Sequence, residues 1–220
     1  VPVTGPGVTG TVLRYPAMPS RHVVARNVDV WLPPGYAKDT DKRHPVLYMH
    51  DGQNLFDPST SYGGIDWGVD ETMTRLIEDG EVREAIVVGI WNSPQRREEY
   101  MPQRAVKGHV TFNVPGVAGV PADVIISDRY LEFLVDELKP FIDANYRTLP
   151  GRDDTFIMGS SMGGLVSQYA MSQYPGVFGG AGCVSTHWPA GDGIVVDDFG
   201  AFHAFGTLDA RRILFGTDAP

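Results

Sequence analysis

Short apolar segments and helical patterns alternate along this chain of 220 residues. The apolar runs at 45–49 and 85–91 are unbroken, as expected of strands buried on both faces of a sheet. Two further strands, 10–15 and 22–31, precede any helical pattern, and 22–31 alternates in part, which is typical of a half-buried antiparallel edge. Strands interleaved with helices indicate an α/β fold with a mostly parallel sheet and helices on both faces.

The remaining pattern continues this alternation to the end of the chain. It predicts, in chain order, a helix at 70–79, a helix at 123–145, a strand at 155–158, a helix at 162–174, a strand at 180–184 and a strand at 212–215. The helix at 123–145 is the longest, and Pro140 lies inside it. Because proline lacks an N–H and its ring crowds the preceding turn, we expect the helix to be interrupted near Lys139.

Composition and charge exclude several classes of protein. Lys and Arg number 18 against 27 Asp and Glu, a net charge of −9. This disfavours binding to nucleic acid or to an anionic membrane surface, since both need a basic patch. A single cysteine, Cys183, excludes an internal disulfide framework and a thiolate zinc cluster. Hydrophobic residues make up 42% of the chain, so we predict one soluble domain over residues 1–220, without a membrane span.

Residues Gly159–Gly163 (GSSMG) match the pattern G-x-S-x-G, with Ser161 as the central serine. A chance match is common, but here an apolar strand leads into the motif and a helical pattern follows. That order is what a nucleophile elbow requires, because a sharp turn lifts the hydroxyl above the sheet and points the first helical N–H groups at an oxyanion. We predict Ser161 as the nucleophile and the N–H of Met162 as an oxyanion donor. The alternative is a glycine-rich junction without a catalytic role.

A second polar segment, His50–Asn54 (HDGQN), follows the apolar run at 45–49. In the α/β-hydrolase geometry, the loop after that strand supplies the other oxyanion donor from its backbone. We predict the N–H of Gln53 for this role. The alternative is a polar turn whose Asp51 and Asn54 form only local hydrogen bonds.

Together these motifs resemble the putative-esterase family, which includes proteins of the esterase D, enterochelin-esterase and feruloyl-esterase types and the mycolyltransferases. The resemblance covers roughly residues 20 to 190 and is carried by Tyr48–Phe56, Trp67 with Val69–Glu71, Arg97 with Tyr100–Pro102, and Gly159–Gly164. It implies an α/β-hydrolase fold, no metal or cofactor, and acyl-ester chemistry through a Ser–acid–His triad.

The end of the sequence departs from the family pattern. Triads on this fold run in the chain order Ser, acid, His. Asp218 follows a strand and a tight turn and is the preferred acid, and Asp209 is the alternative. A histidine is then expected tens of residues later, but the chain stops at Pro220. We therefore expect the α/β-hydrolase fold to be incomplete at its C-terminus, with the last strand and helix missing. His203 could act as the base only through an unusual connection.

Other residues at the same sheet edge are candidates for contact with a substrate. His187 and Trp188 follow the strand at 180–184, and His187 is interpreted as a pocket residue, a structural residue or, less readily, the base. Arg97 and Tyr100 lie in the loop after the strand at 85–91 and are interpreted as pocket residues or as part of a solvated loop. Ligands on open α/β sheets bind beyond the carboxyl ends of the strands.

Three functions are compatible with these patterns. The first is a serine esterase that hydrolyses carboxylic esters through an acyl-enzyme on Ser161, acting on small-molecule or carbohydrate-linked esters. The second is a catalytically silent or truncated hydrolase-fold protein that only binds, and the third is an acyltransferase that uses the same serine. The chain begins at Val1 without a signal-like segment, which leaves the compartment and the oligomeric state open, with a periplasmic or secreted location favoured slightly over the cytoplasm.

Overall fold

A computed structural model describes residues 1–5, 7–114 and 117–198, and the backbone of residues 213–215. Strands in this part of the chain are β1 (Pro2–Val3), β2 (Thr11–Met18), β3 (Arg26–Leu32), β4 (Val46–His50), β5 (Ile86–Ile90), β6 (Thr111–Val114), β7 (Val117–Pro121), β8 (Thr155–Ser160), β9 (Gly180–Val184) and β10 (Ile213–Phe215). Eight of them form one sheet in the order β1-β2-β3-β5-β4-β8-β9-β10. The hairpin β6–β7, which the sequence pattern did not predict, forms a separate two-stranded sheet.

The strand directions confirm the predicted fold class. Strands β5, β4, β8, β9 and β10 pair in parallel, whereas β1, β2 and β3 join one another and β5 in antiparallel pairs. The strand predicted at 22–31 is β3, which is antiparallel as expected, but the prediction of a half-buried edge is wrong because β3 lies between β2 and β5 and is largely buried. The carboxyl ends of β4, β5, β8 and β9 lie at one edge of the sheet, which is where such sheets bind ligands.

The α-helices that lie wholly within the described residues are α1 (Val69–Glu78), α2 (Arg96–Tyr100), α3 (Gln103–Val106), α4 (Ser127–Glu132), α5 (Lys139–Asn145) and α6 (Met162–Gln173). The helix predicted over 123–145 begins only at Ser127, because Ile125 and Ile126 leave the helical conformation. A π-helical segment, Phe133–Leu138, joins α4 to α5 directly before Pro140. The wider turn is consistent with a proline that cannot donate to the ordinary i→i−4 bond.

Helices cover both faces of the sheet. The larger core lies between the sheet and α4–α6, while α1 packs with Met73 and Ile77 against a smaller cluster on the other face that contains Trp31, Met49 and Val87. Strand β8 alternates between buried and half-buried residues. Its half-buried side borders an apolar groove of about 600 Å³ beside α1. Within the described residues, no helix combines the length and the hydropathy that crossing a bilayer would require.

Candidate active site

Ser161 lies at the junction between β8 and α6, as the strand–turn–helix interpretation predicted. Strand β8 ends at Ser160 and α6 begins at Met162, and Ser161 between them has φ 59° and ψ −118°. This conformation is rare for a residue with a Cβ and costs about 1–3 kcal/mol, so the surrounding structure must hold it in place. The serine is neither buried nor fully exposed.

The segment that leaves β9 holds the Ser161 backbone on both sides. The Ser161 N–H donates to the carbonyl of Val184 at 2.9 Å, and the His187 N–H donates to the carbonyl of Ser161 at 3.1 Å. Glycine permits this close packing: a Cβ on Gly164 would lie 2.5 Å from Thr186 Oγ1. A Cβ on Gly159 would lie 2.7 Å from the Gly163 backbone. The small residues around the serine are therefore a steric requirement of the turn.

The loop that carries Gln53 reaches the same place from β4. Asp51 adopts a left-handed conformation (φ 59°, ψ 44°), and residues Gly52–Asn54 form a single 3₁₀ turn. A Cβ on Gly163 would lie 3.6 Å from Asp51 Oδ2, which shows that this loop lies close to the first turn of α6. Because Met162 is the first residue of α6, its N–H has no partner within the helix. The structure thus brings the Gln53 loop and the start of α6 together.

A polar network surrounds the Asp51 carboxylate, and most of it was not found from the sequence. The Arg96 guanidinium donates from Nε to Oδ1 at 2.7 Å and from Nη2 to Oδ2 at 2.8 Å. Asn92 Nδ2 donates to Oδ1 at 2.6 Å. The Asp51 N–H donates to the Tyr100 hydroxyl at 3.3 Å. The Asn92 N–H also donates to Gln53 Oε1 at 3.2 Å, so the residues that follow β5 hold this loop through several bonds.

His50 lies fully buried behind this loop. Its Nδ1 is 2.8 Å from the Tyr130 hydroxyl, and its ring packs against Tyr100 with 5.2 Å between the ring centroids. Within the described part of the chain, Nε2 has no hydrogen-bond partner. Burial lowers the pKa of His50 to about 3, although the Asp51 charge opposes the shift. His50 is therefore neutral at pH 7 and is enclosed by the core, away from solvent.

This burial predicts a loss of stability in mild acid. The His50 pKa rises from about 3 in the folded chain to 6.5 in the unfolded chain, so below pH 6.5 only the unfolded state takes up the proton. We expect the free energy of unfolding to fall by about 2 kcal/mol from this group between about pH 7.5 and about pH 5. Urea denaturation at both values, with wild type and His50→Gln, measures it. An unchanged pH dependence in the variant would contradict the assignment.

The other residues predicted to contact a substrate occupy different environments. Trp188 and His187 are half-buried next to the Ser161 turn, and Trp188 packs against the main core. Arg97 is exposed on α2. Tyr100 is fully buried, and its hydroxyl binds the Asp51 N–H. The predicted direct contact between Tyr100 and a substrate needs correction, because a ring enclosed by the core can support the site only from behind. Asp218, Asp209 and His203 lie outside the described residues.

One group of acidic side chains could hold a cation. Asp66, Asp70 and Glu71 place ligand atoms within 4.8 Å of one another at the start of α1. These carboxylates also have local partners: Asp70 Oδ2 accepts from the Thr9 N–H at 2.5 Å, and Asp66 Oδ2 accepts from the Gly68 N–H at 3.1 Å. Acidic residues are favoured at a helix N-terminus by the helix dipole. Backbone hydrogen bonds and the helix dipole therefore account for the positions of Asp66 and Asp70.

An apolar cavity of about 360 Å³ lies next to the serine turn, on the α1 side of the sheet. It is lined by Met49, Trp67, Val69, Met158, Gly159, Ser160 and Val184. Three of the lining segments are carboxyl-terminal parts of β4, β8 and β9. The cavity thus reaches Ser160, the residue directly before the candidate nucleophile, in the position where an open α/β sheet binds its ligands.

Comparison with known proteins identifies the family of this arrangement. A family model described as "Putative esterase" matches residues 24–195. The protein YbbA of Bacillus subtilis (strain 168), described as uncharacterized, is 27% identical over 165 residues, which are 74% of this chain and 58% of YbbA. The chain therefore spans little more than half the length of that relative.

Solved structures share the fold at lower identity. An IroE-like serine hydrolase from Shewanella oneidensis has a TM-score of 0.63 and 24% identity, over 87% of this chain and 54% of that one. The siderophore hydrolase EstA from Aspergillus nidulans has a TM-score of 0.68 and 19% identity, over 93% of this chain and 68% of that one. At these identities the likeness establishes the fold alone.

Proposed function

Since the chain belongs to the putative esterase family, whose model matches residues 24–195, we propose that it is a carboxylic ester hydrolase that forms an acyl-enzyme on Ser161. The observation that carries the proposal is the backbone of Ser161, held at φ 59° between β8 and α6 at the edge of the sheet. A serine kept in this costly conformation next to a cleft is typical of a nucleophile. The family found by comparison is the one that the sequence motifs indicated.

In the proposed reaction, the Ser161 hydroxyl attacks the carbonyl carbon of the ester, and its proton passes to a general base. The carbonyl oxygen becomes an oxyanion, which accepts hydrogen bonds from the backbone N–H groups of Met162 and Gln53. The positive end of the α6 dipole adds to this stabilisation. The protonated base then gives its proton to the leaving alcohol, which completes the acyl-enzyme. In the second half-reaction the same base deprotonates a water molecule, which attacks the acyl-enzyme, and the free acid and the serine are released.

Chemistry and chain order indicate the residue type of the base and the identity of its acid partner. A free serine hydroxyl is a weak nucleophile, so the proposal requires an imidazole beside Ser161. We propose Asp218 as the acid that orients this imidazole. His187 is joined to Ser161 through the backbone, and replacing it tests whether it serves as the base, lines the pocket or supports the turn.

A fluorophosphonate probe tests the nucleophile directly. We expect one covalent adduct per chain, located on Ser161 by mass spectrometry of the digested protein, because the probe reacts with serines activated for acyl transfer. Ser160→Ala is the matched control, since it removes the neighbouring hydroxyl and should leave labelling intact. A folded protein that includes any native extension beyond Pro220 and that remains unlabelled, or is labelled elsewhere, would refute the proposed nucleophile.

Product analysis separates hydrolysis from acyl transfer. We expect a short-chain nitrophenyl ester to yield the free acid, also when an alcohol or sugar acceptor is added. A new ester formed with the acceptor as the main product would instead identify an acyltransferase that uses the same serine.

A further inference from the structure

Helix α2 directs several side chains towards the loop that carries Gln53. Arg96 and Tyr100 are four residues apart and therefore lie on the same face of the helix. Both reach Asp51: Arg96 binds its two carboxylate oxygens at 2.7 and 2.8 Å, and the Tyr100 hydroxyl accepts its N–H at 3.3 Å. The Arg96 guanidinium also lies over the Tyr100 ring, 4.9 Å from its centroid. One helical turn thus holds Asp51 by its backbone and its side chain.

A buried ion pair anchors this helix to the sheet. The Arg26 guanidinium, on β3, donates to the Glu99 carboxylate at 2.6 and 2.9 Å, and both side chains are almost fully excluded from solvent. Ser93 Oγ donates to the same carboxylate at 3.0 Å. Helix α2 is therefore fixed at Glu99 while Arg96 and Tyr100 extend to Asp51. Because the ion pair fixes α2 to β3 and α2 in turn binds Asp51, the sheet sets the position of the loop that carries Gln53.

The place of Asp51 makes its partner important for the reaction. Asp51 lies two residues before Gln53 and close to the first turn of α6, since a Cβ on Gly163 would lie 3.6 Å from its Oδ2. A carboxylate without a counter-ion at this point would repel the negative charge that develops on the substrate oxygen. A mobile Asp51 would also displace the Gln53 N–H. The Arg96 guanidinium prevents both, because it balances the charge and fixes the carboxylate in two places.

We propose that Arg96 is a positioning residue for ester hydrolysis, which holds and neutralises Asp51 so that the Gln53 N–H and the start of α6 can stabilise the oxyanion. This inference rests on the proposed function of Ser161. It differs from the sequence interpretation, which selected the neighbouring Arg97. Arg96 acts through Asp51, so its loss should lower kcat while leaving KM nearly unchanged.

The experiment compares Arg96→Ala with wild type on a short-chain nitrophenyl ester. We expect kcat to fall by about 100-fold, because a small displacement of an oxyanion donor has an effect of this size. KM should stay within about threefold. The side chain is 31% exposed, so millimolar methylguanidinium can enter the vacated space and should restore part of the lost kcat. Arg96→Lys keeps the charge but loses the planar guanidinium that binds both carboxylate oxygens, so its kcat should lie between those of wild type and Arg96→Ala.

Arg104→Ala is the matched control. Arg104 binds both carboxylate oxygens of Asp198 at 2.8 and 2.9 Å and is 29% exposed, so the two arginines are alike in geometry and exposure. We expect Arg104→Ala to keep wild-type kcat, with no response to methylguanidinium. Equal losses of kcat in both variants, or no rescue of Arg96→Ala, would overturn the inference in favour of a purely structural ion pair.

Two further outcomes are distinguishable. If the wild-type protein, with any native extension beyond Pro220, neither hydrolyses the ester nor reacts with the fluorophosphonate, the proposed function fails. If wild type is active and Arg96→Ala is equally active, only the positioning role fails. Should Arg96→Ala not fold, Arg96→Lys decides: an unchanged kcat in that variant would contradict the role of the two-point contact, and a reduced kcat at wild-type melting temperature supports it.

Discussion

Replacement of Ser161 by alanine is expected to abolish ester hydrolysis and to leave the fold unchanged. Loss of the nucleophile in a serine hydrolase lowers kcat by about 10⁶-fold, because no other group forms the acyl-enzyme. The backbone should tolerate alanine as it tolerates serine, since both carry a Cβ at φ 59°. The measurements are kcat on a short-chain nitrophenyl ester and the thermal midpoint by circular dichroism.

Replacement of Ser161 by glycine separates the loss of the hydroxyl from the backbone strain at this position. Because glycine adopts positive φ without steric cost, Ser161→Gly should be as inactive as Ser161→Ala but more stable by about 1 kcal/mol. Ser160→Ala, which removes the adjacent hydroxyl, should retain activity. Substantial turnover by Ser161→Ala, measured with protein free of wild-type contamination, would show that the reaction does not pass through this serine.

Gly52→Ala is expected to cause the largest loss of stability among small substitutions near the site. A Cβ on Gly52 would lie 2.4 Å from the Gly89 carbonyl carbon and 2.6 Å from the Gly89 oxygen and the Ile90 nitrogen. These are backbone atoms of a central strand, so they cannot move aside as a flexible side chain would. We expect a loss of about 1–3 kcal/mol or more in the free energy of unfolding.

The same substitution should also impair the reaction, because it pushes the Gln53 loop away from β5 and so changes its position beside α6. A displacement of about 1 Å at such a position lowers the rate by about 100-fold. Gly151→Ala is the matched control: no atom lies within 4 Å of its Cβ, and its φ is −69°, so stability should change by less than about 0.5 kcal/mol. Urea denaturation and kcat measure both variants. Wild-type values for Gly52→Ala would show that this contact does not set the loop.

The strands were predicted well because burial on both faces leaves a clear local pattern. The apolar runs at 45–49 and 85–91 became β4 and β5, within one residue at each end. The hairpin β6–β7 was missed because its residues alternate weakly around two glycines and two prolines, and only its packing against the core buries Phe112, Val114 and Val120. Where tertiary packing rather than local residue preference stabilises a strand, the periodicity of the sequence does not predict it.

The residues of the candidate site also fall into those that a local sequence pattern predicted and those that it did not. Ser161 and the Gln53 loop were predicted because each belongs to a local motif with a strand in front of it, and the parallel sheet brings both to one edge. Arg96, Asn92 and Tyr130 were not predicted, since their partners lie far away in the sequence. Arg96 is separated from Asp51 by 45 positions, and neither residue type nor spacing distinguishes it from Arg97.

The amino-acid sequence by itself determined the α/β architecture, the steric need for small residues around Ser161 and the family to which the chain belongs. Those features depend on periodicity and on contacts between neighbours in the chain, which a linear pattern records. Only the tertiary structure decided that Arg96 rather than Arg97 binds Asp51, that Tyr100 is buried, and that Gly52 has no room for a Cβ. The physical reason is that these outcomes depend on which distant groups the sheet brings within a few ångströms, where packing and charge pairing act.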